Sequence, residues 1–145
     1  MPTTDTNDVL NRILVLHNRS LPVYLMDALP WFERGDEVGP ETLELIVAGH
    51  MSMVDRIGQM ILDGGGSINY GEFPMRYTSL HDLSFNYLRD KMIEYEQQLI
   101  EALTEYAEQL RLVPTAQAVT LEALGEAKAH LQSLRELEHP AGADA

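Results

Sequence analysis

The chain has 145 residues, which is long enough for one domain with a sizeable core. Its 10 basic and 23 acidic residues give a net charge of −13, and such a surface repels nucleic-acid phosphates and anionic membranes. The chain contains no cysteine, which excludes disulfides, thiolate metal sites and thiol catalysis.

The N-terminal segment MPTTDTNDV is polar and lacks the basic and apolar regions of a signal peptide. No apolar run approaches the roughly 18 residues that a membrane-spanning helix needs. We therefore expect a single cytoplasmic domain over residues 1–145, with loose tails at about 1–6 and 138–145. Neither a nucleic acid nor a membrane is expected as a partner.

The first predicted helix runs from about Asn7 to Leu29. Its inward stripe advances in steps of four and three residues: Leu10, Leu14, His17, Leu21, Tyr24, Ala28. Pro22 lies inside this helix and removes one backbone hydrogen bond, so we expect a kink or a bulge one turn after His17.

The second predicted helix runs from Pro40 to the three glycines at 64–66. Proline suits the first turn of a helix, and glycine suits its C-terminal end. Apolar residues recur at helical spacing along it, with His50 in the middle of the stripe: Leu43, Ile46, Val47, Met53, Val54, Ile57, Met60, Ile61.

Two further helices are predicted after an aperiodic segment. Ser79 and Asp82 resemble a capping box, which predicts a third helix from about Leu80 to Leu110 or Arg111. Glu96 interrupts its apolar stripe. The fourth helix is predicted from Pro114 to about Leu137, with His130 on its inward face, and the remaining tail is too short for a fifth helix.

Four amphipathic helices predict an all-α four-helix bundle. The first and third connections are short, so those pairs of helices are expected to be antiparallel neighbours. The middle connection, 65–78, spans roughly 45 Å when extended. A helix of about 25 residues is only ~37 Å long, so this linker is long enough to cross the whole bundle along its side.

One ligand-type residue from each helix lies near the middle of that helix: His17, His50, Glu96 and His130. They are expected to meet at one level of the bundle. A buried carboxylate is costly unless its charge is compensated, and without a cation Glu96 is expected to destabilise the fold. Three imidazoles and one carboxylate suit a transition-metal ion, with Fe or Zn favoured.

Two other side chains are candidates for supporting this site. Tyr24 is expected to hydrogen-bond Glu96, and Met53 either faces the metal as a weak ligand or fills space. A simpler interpretation of the four ligand-type residues stays open. Each histidine would then be a hydrogen-bonded core residue, and Glu96 would tilt towards the edge of its stripe.

Several segments between residues 9 and 135 resemble the bacterioferritin-related proteins of the ferritin-like superfamily. LNRILVL (10–16) is similar to the start of that family's first helix, and VDRIGQMILDGGG (54–66) is similar to the end of its second helix. The resemblance implies a ferritin-like bundle with a long crossover between helices two and three. It also places Tyr24 at the position of a tyrosine of the family.

The same resemblance implies that the di-iron site is altered. His17 and His50 stand where the family has iron-binding glutamates, and Met53 stands where it has a histidine. Glu96 and His130 match family ligands, whereas Ala127 replaces a glutamate. Because both bridging carboxylates are replaced, the resemblance favours a mononuclear, histidine-rich site over a dinuclear one.

Three functions remain open at this level. The first is a metal-binding protein, either an oxidase-type enzyme or a metal-handling protein. The second is a non-catalytic interaction or structural bundle that has lost its metal site. The third is a haem-binding dimer, because Met51 falls where bacterioferritins place the methionine that ligates haem.

The expected oligomer is a homodimer or another small homo-oligomer, formed through helices one and two. The resemblance implies that a 24-subunit storage cage needs a fifth helix, which this sequence does not predict. Trp31, Tyr70 and Phe73 are candidates for apolar contacts at the dimer interface.

Overall fold

The computed structural model describes residues 4–138. It contains five α-helices: α1 Thr4–Asn18, α2 Leu21–Asp27, α3 Val38–Asp63, α4 Phe85–Gln109 and α5 Pro114–Glu138, with a 3₁₀ helix at Met75–Leu80. The prediction of an all-α fold is confirmed over these residues, in which the only β-type pairing is an isolated bridge between Trp31 and Ser84. No helix among them is both long and apolar enough to cross a membrane.

The predicted first helix is two helices, which corrects the expectation of one kinked helix from Asn7. Ser20 is extended, with φ −68° and ψ 157°, and Pro22 lies in the first turn of α2. Proline is tolerated there because its missing N–H needs no helical partner. The start of α1 at Thr4 also shows that residues 4–6 do not belong to a loose tail. Most of the predicted C-terminal tail, 139–145, lies outside the described residues.

Helix α4 begins five residues later than predicted. Ser84 is its N-cap, and the Ser84 hydroxyl accepts a hydrogen bond from the Tyr87 amide at 3.2 Å. Asp82 has a positive φ of 61°, which interrupts the helical path, and Ser79 donates its hydroxyl to the Arg76 carbonyl. The predicted capping box at Ser79 is therefore wrong, and residues 75–80 form the 3₁₀ helix.

The linker after α3 runs alongside α1. The Asn69 amide donates to Asn11 Oδ1 at 2.9 Å, and Arg19 Nε donates to the Gly71 carbonyl at 3.0 Å. Gly71 has φ 74°, and a Cβ there would lie 2.7 Å from a Val15 methyl, so the close approach to α1 requires glycine.

Backbone hydrogen bonds from the Trp31 amide to Leu83 and from the Phe85 amide to Trp31 then join the segment after α2 to the start of α4. Because the segment after α2 leads directly into α3, helices α3 and α4 start at the same end of the molecule. The two helices therefore run in the same direction. Helix α1 packs against α3, and α4 packs against α5.

Candidate metal centre

Four ligand-type residues separate two apolar clusters in the core. We call His17, His50, Glu96 and His130 the polar layer. Cluster A consists of Leu10, Ile13, Leu14, Met53, Val54, Ile57, Ile61, Leu99, Leu103, Leu110, Ala116, Val119, Ala123 and Ala127. Cluster B consists of Leu21, Leu25, Leu43, Ile46, Tyr77, Phe85, Leu88, Met92, Ile93, Leu131 and Leu134. His50, Glu96 and His130 each lie, along their own helix, between residues of cluster A and residues of cluster B. His17 lies in the same way between the cluster A residues of α1 and the cluster B residues of α2.

Three members of the polar layer form a chain of hydrogen bonds. His17 Nδ1 lies 2.8 Å from His50 Nδ1, and His50 Nε2 lies 2.7 Å from Glu96 Oε1. An ionised Glu96 only accepts, so His50 Nε2 carries a proton and donates it to the carboxylate. The direction of the bond between the two histidines follows the proton on His50: when His50 is neutral, its Nδ1 accepts from His17 Nδ1.

Burial and these contacts determine the charge of the layer. His17 is 2% exposed, and burial together with the neighbouring His50 lowers its pKa to about 3, so it is neutral at pH 7. Glu96 is fully buried, which alone would raise its pKa. The imidazoles of His130 and His50 outweigh that effect and lower the pKa of Glu96 to about 2. Glu96 is therefore an anion that is hydrogen-bonded through Oε1, which corrects the expectation that only a cation compensates its charge.

His130 reaches the layer through a gap left by Gly49. A Cβ on residue 49 would lie 2.7 Å from His130 Nε2 and 2.9 Å from its Cε1, so only glycine leaves room for the ring. The other ring nitrogen, His130 Nδ1, lies 3.7 Å from Glu96 Oε1. The side chain of His130 is 14% exposed, so this edge of the layer is the one nearest to solvent among the four residues.

The residues that meet as a candidate cation site are His50, Glu96 and His130, each with one ligand-type atom within 4.8 Å of the others. His17 touches His50 but does not belong to this group. Three buried atoms of the layer have no hydrogen-bond partner among residues 4–138: Glu96 Oε2, His130 Nδ1 and His17 Nε2. Unpaired buried polar atoms are uncommon in proteins, and each one needs a physical explanation.

The structure places the other predicted site residues elsewhere. The Tyr24 hydroxyl hydrogen-bonds to His81 Nε2, so its predicted contact with Glu96 is wrong. Met53 is 2% exposed and packs within cluster A, where it fills space. Met51 is partly buried against the same cluster, and its role in haem binding stays a prediction.

Sequence reasoning missed Gly49 and His81. A glycine in the middle of a helix lowers its stability by roughly 1 kcal/mol relative to alanine. Gly49, next to His50 in the sequence, therefore indicated a position where another group packs closely against the helix. His81 follows an aperiodic segment, and nothing in the local pattern connects it with Tyr24.

Comparison of the chain with protein-family models, with curated proteins and with solved structures gave no match.

Proposed function

We propose that this protein binds one transition-metal ion, iron or zinc, in the polar layer, with His50, Glu96 and His130 as its ligands. The observation that carries the proposal is the convergence of these three ligand-type groups from three helices within 4.8 Å, in the middle of the core. Nitrogen and carboxylate donors of this kind suit both metals.

The charge of the layer supports the same proposal. Glu96 has a pKa of about 2 and is ionised at neutral pH, while it is fully excluded from solvent. A divalent cation would neutralise this buried anion. It would also give partners to Glu96 Oε2 and His130 Nδ1, which have none in the part of the chain that the structure describes.

His17 acts in this proposal as a positioning residue. When His50 Nε2 binds a cation it can no longer carry a proton, so the proton of a neutral His50 resides on Nδ1. The hydrogen bond between the two histidines then reverses, with His50 Nδ1 donating to His17 Nδ1, 2.8 Å away. A fixed acceptor on the far nitrogen is the usual way in which proteins orient a metal-binding imidazole.

A relationship to the ferritin-like superfamily remains part of the proposal. It is supported by the linker alongside α1, which lets α3 and α4 run in the same direction. The layer contains one carboxylate, where a carboxylate-bridged pair of irons needs several. We therefore infer a mononuclear centre that serves metal handling or an oxidase-type reaction.

A second candidate function is a non-catalytic bundle whose layer needs no metal. The hydrogen bonds that join His17 to His50 and His50 to Glu96 favour it, because they give both nitrogens of His50, one nitrogen of His17 and one oxygen of Glu96 a partner without a metal. The two candidates differ in one measurable property, which is the binding of a cation.

The test is calorimetric titration of tag-free, chelator-stripped protein with Zn(II) and, under anaerobic conditions, with Fe(II). We expect one equivalent to bind and the melting temperature to rise, because a ligand that binds only the folded state stabilises it. His50→Ala and Glu96→Gln should each abolish most of this binding.

His81→Ala is the matched control, since it removes an imidazole that lies outside the layer and bonds to Tyr24. It should bind metal as the wild type does. Absence of binding in the wild type, or equal binding in all four proteins, would refute the metal site and favour the second candidate.

A further inference from the structure

The polar layer lies nearest to solvent where α5 packs against Gly49 of α3. His17, His50 and Glu96 are at most 2% exposed, whereas the side chain of His130 is 14% exposed. Gly49, which the His130 ring packs against, is also partly exposed and has no side chain that could cover the ring. We call this place, where Gly49 and His130 meet, the α3–α5 seam.

A carboxylate lies at the α3–α5 seam. Glu126 precedes His130 by four residues on α5, so the two side chains share one face of that helix. Glu126 Oε1 lies 3.9 Å, and His130 Nε2 lies 2.7 Å, from the position that a Cβ of residue 49 would occupy. Both polar atoms therefore lie beside the same gap left by Gly49.

Glu126 has no partner that explains its position. Its Oε2 atom is shut off from solvent and accepts no hydrogen bond among residues 4–138, although the residue as a whole is partly exposed. No ion pair within those residues includes Glu126. A buried acceptor without a partner lowers the stability of a fold, so this carboxylate needs a reason other than packing.

The neighbouring acid on the same helix differs in this respect. Glu122, one turn before Glu126, forms an ion pair of 2.5 Å with Arg56 of α3, and both side chains are about half exposed. Glu122 therefore has an ordinary partner across α3 and α5, and Glu126 does not.

We propose that Glu126 receives a cation at the α3–α5 seam on its way into the polar layer, an inference that rests on the proposed metal site. The ion is held first by Glu126 Oε1 and His130 Nε2, and it then moves past the His130 ring to Glu96 and His50. An uncompensated carboxylate raises the local concentration of cations and the rate at which they arrive. Glu126 is not a ligand of the final site, in which the ligand atoms of the other three residues meet.

This role has a kinetic signature. A residue that acts only during entry changes the rates of binding and of release by the same factor. The dissociation constant, which is the ratio of the two rates, then stays the same. A ligand of the final site behaves differently, because its loss speeds release and raises the dissociation constant.

The experiment is stopped-flow measurement of Zn(II) uptake by the chelator-stripped full chain, with free Zn(II) followed by a fluorescent indicator. Release is measured by mixing the loaded protein with excess chelator. Glu126→Gln should slow uptake and release by about tenfold each and change the dissociation constant by less than about twofold. Added KCl should slow uptake by the wild type more than uptake by this variant, because salt screens the carboxylate.

Two further variants serve as controls. Glu122→Gln removes the same charge one turn away, at a residue that is paired with Arg56, and it should keep the wild-type rates. Glu126→Asp keeps the charge and should retain most of the uptake rate. Glutamine has nearly the shape of glutamate, and melting of metal-free Glu126→Gln at the wild-type temperature or above would show that slow uptake is not lost folding.

Three results would overturn the proposal: wild-type rates in Glu126→Gln, a higher dissociation constant with faster release in that variant, or equal slowing in the Glu122 and Glu126 variants. Each of them leaves the metal site intact, because each is measured on protein that binds Zn(II). Absence of Zn(II) binding in the wild type would instead refute the metal site, and this proposal with it.

Discussion

Replacing His17 with asparagine tests whether the fold holds this imidazole neutral inside the polar layer. Burial and the neighbouring His50 lower the pKa of His17 from 6.5 to about 3. The unfolded chain therefore takes up a proton at a higher pH than the folded chain does. It follows that the stability associated with neutral His17 is fully present above pH 6.5 and is lost as the pH falls towards about 3.

The size of this effect follows from the two pKa values. Each pH unit below 6.5 and above about 3 removes ~1.4 kcal/mol from the free energy of unfolding. Between about pH 7.5 and about pH 5 the loss due to His17 is therefore ~2 kcal/mol. For a chain of this length that loss corresponds to a fall of roughly 6 °C in melting temperature.

The assay is urea unfolding at both pH values, with the metal removed, on the wild type, His17→Asn and His81→Asn. The asparagine amide can donate to His50 from nearly the place of His17 Nδ1, but it does not titrate. His17→Asn should therefore lose ~2 kcal/mol less than the wild type on acidification. His81 lies on the surface, so His81→Asn should keep the wild-type dependence. Equal pH dependence in the wild type and His17→Asn would refute the reasoning.

Three further outcomes are expected. Glu96→Gln should lower the unfolding free energy of the metal-free protein by about 1–3 kcal/mol at pH 7, because it weakens the hydrogen bond from His50. A higher urea midpoint in this variant would show instead that the buried charge of Glu96 destabilises the metal-free fold. Gly49→Ala should displace His130 and weaken Zn(II) binding by about tenfold in calorimetry, whereas Gly125→Ala, whose Cβ meets nothing within 4 Å, should bind Zn(II) as the wild type does. Light scattering should show a small homo-oligomer, for which we propose a dimer, and a large cage would contradict this.

The polar layer was predictable because helical periodicity fixes which residues share a face. His17, His50, Glu96 and His130 each interrupt an apolar stripe near the middle of a helix, and all four are in one layer of the structure. The contacts among them were not predictable, since the orientation of an imidazole depends on partners from other helices. For the same reason Gly49 was overlooked: its role is visible only once α5 has brought His130 beside it.

The errors at the helix ends have a different cause. Ser79 and Ser84 are both plausible N-caps by local sequence, and the choice between them depends on tertiary contacts. Backbone pairing of Trp31 with Leu83 and Phe85 fixes the start of α4 at Ser84. The break at Ser20 likewise lets Tyr24 meet His81, although helical spacing alone places Tyr24 on the face of His17.

The division of the core by the polar layer also restricts how the helices can slide past one another. The leucine- and isoleucine-rich stripes of clusters A and B would pack acceptably after one helix shifted by a turn, about 5.4 Å. Such a shift would move an imidazole or the Glu96 carboxylate into purely apolar surroundings and break the chain from His17 to Glu96. Polar residues in the core of coiled coils select a single axial alignment in this way. We expect the layer to do the same here, so that with or without a bound metal it defines the one register in which the helices fit together.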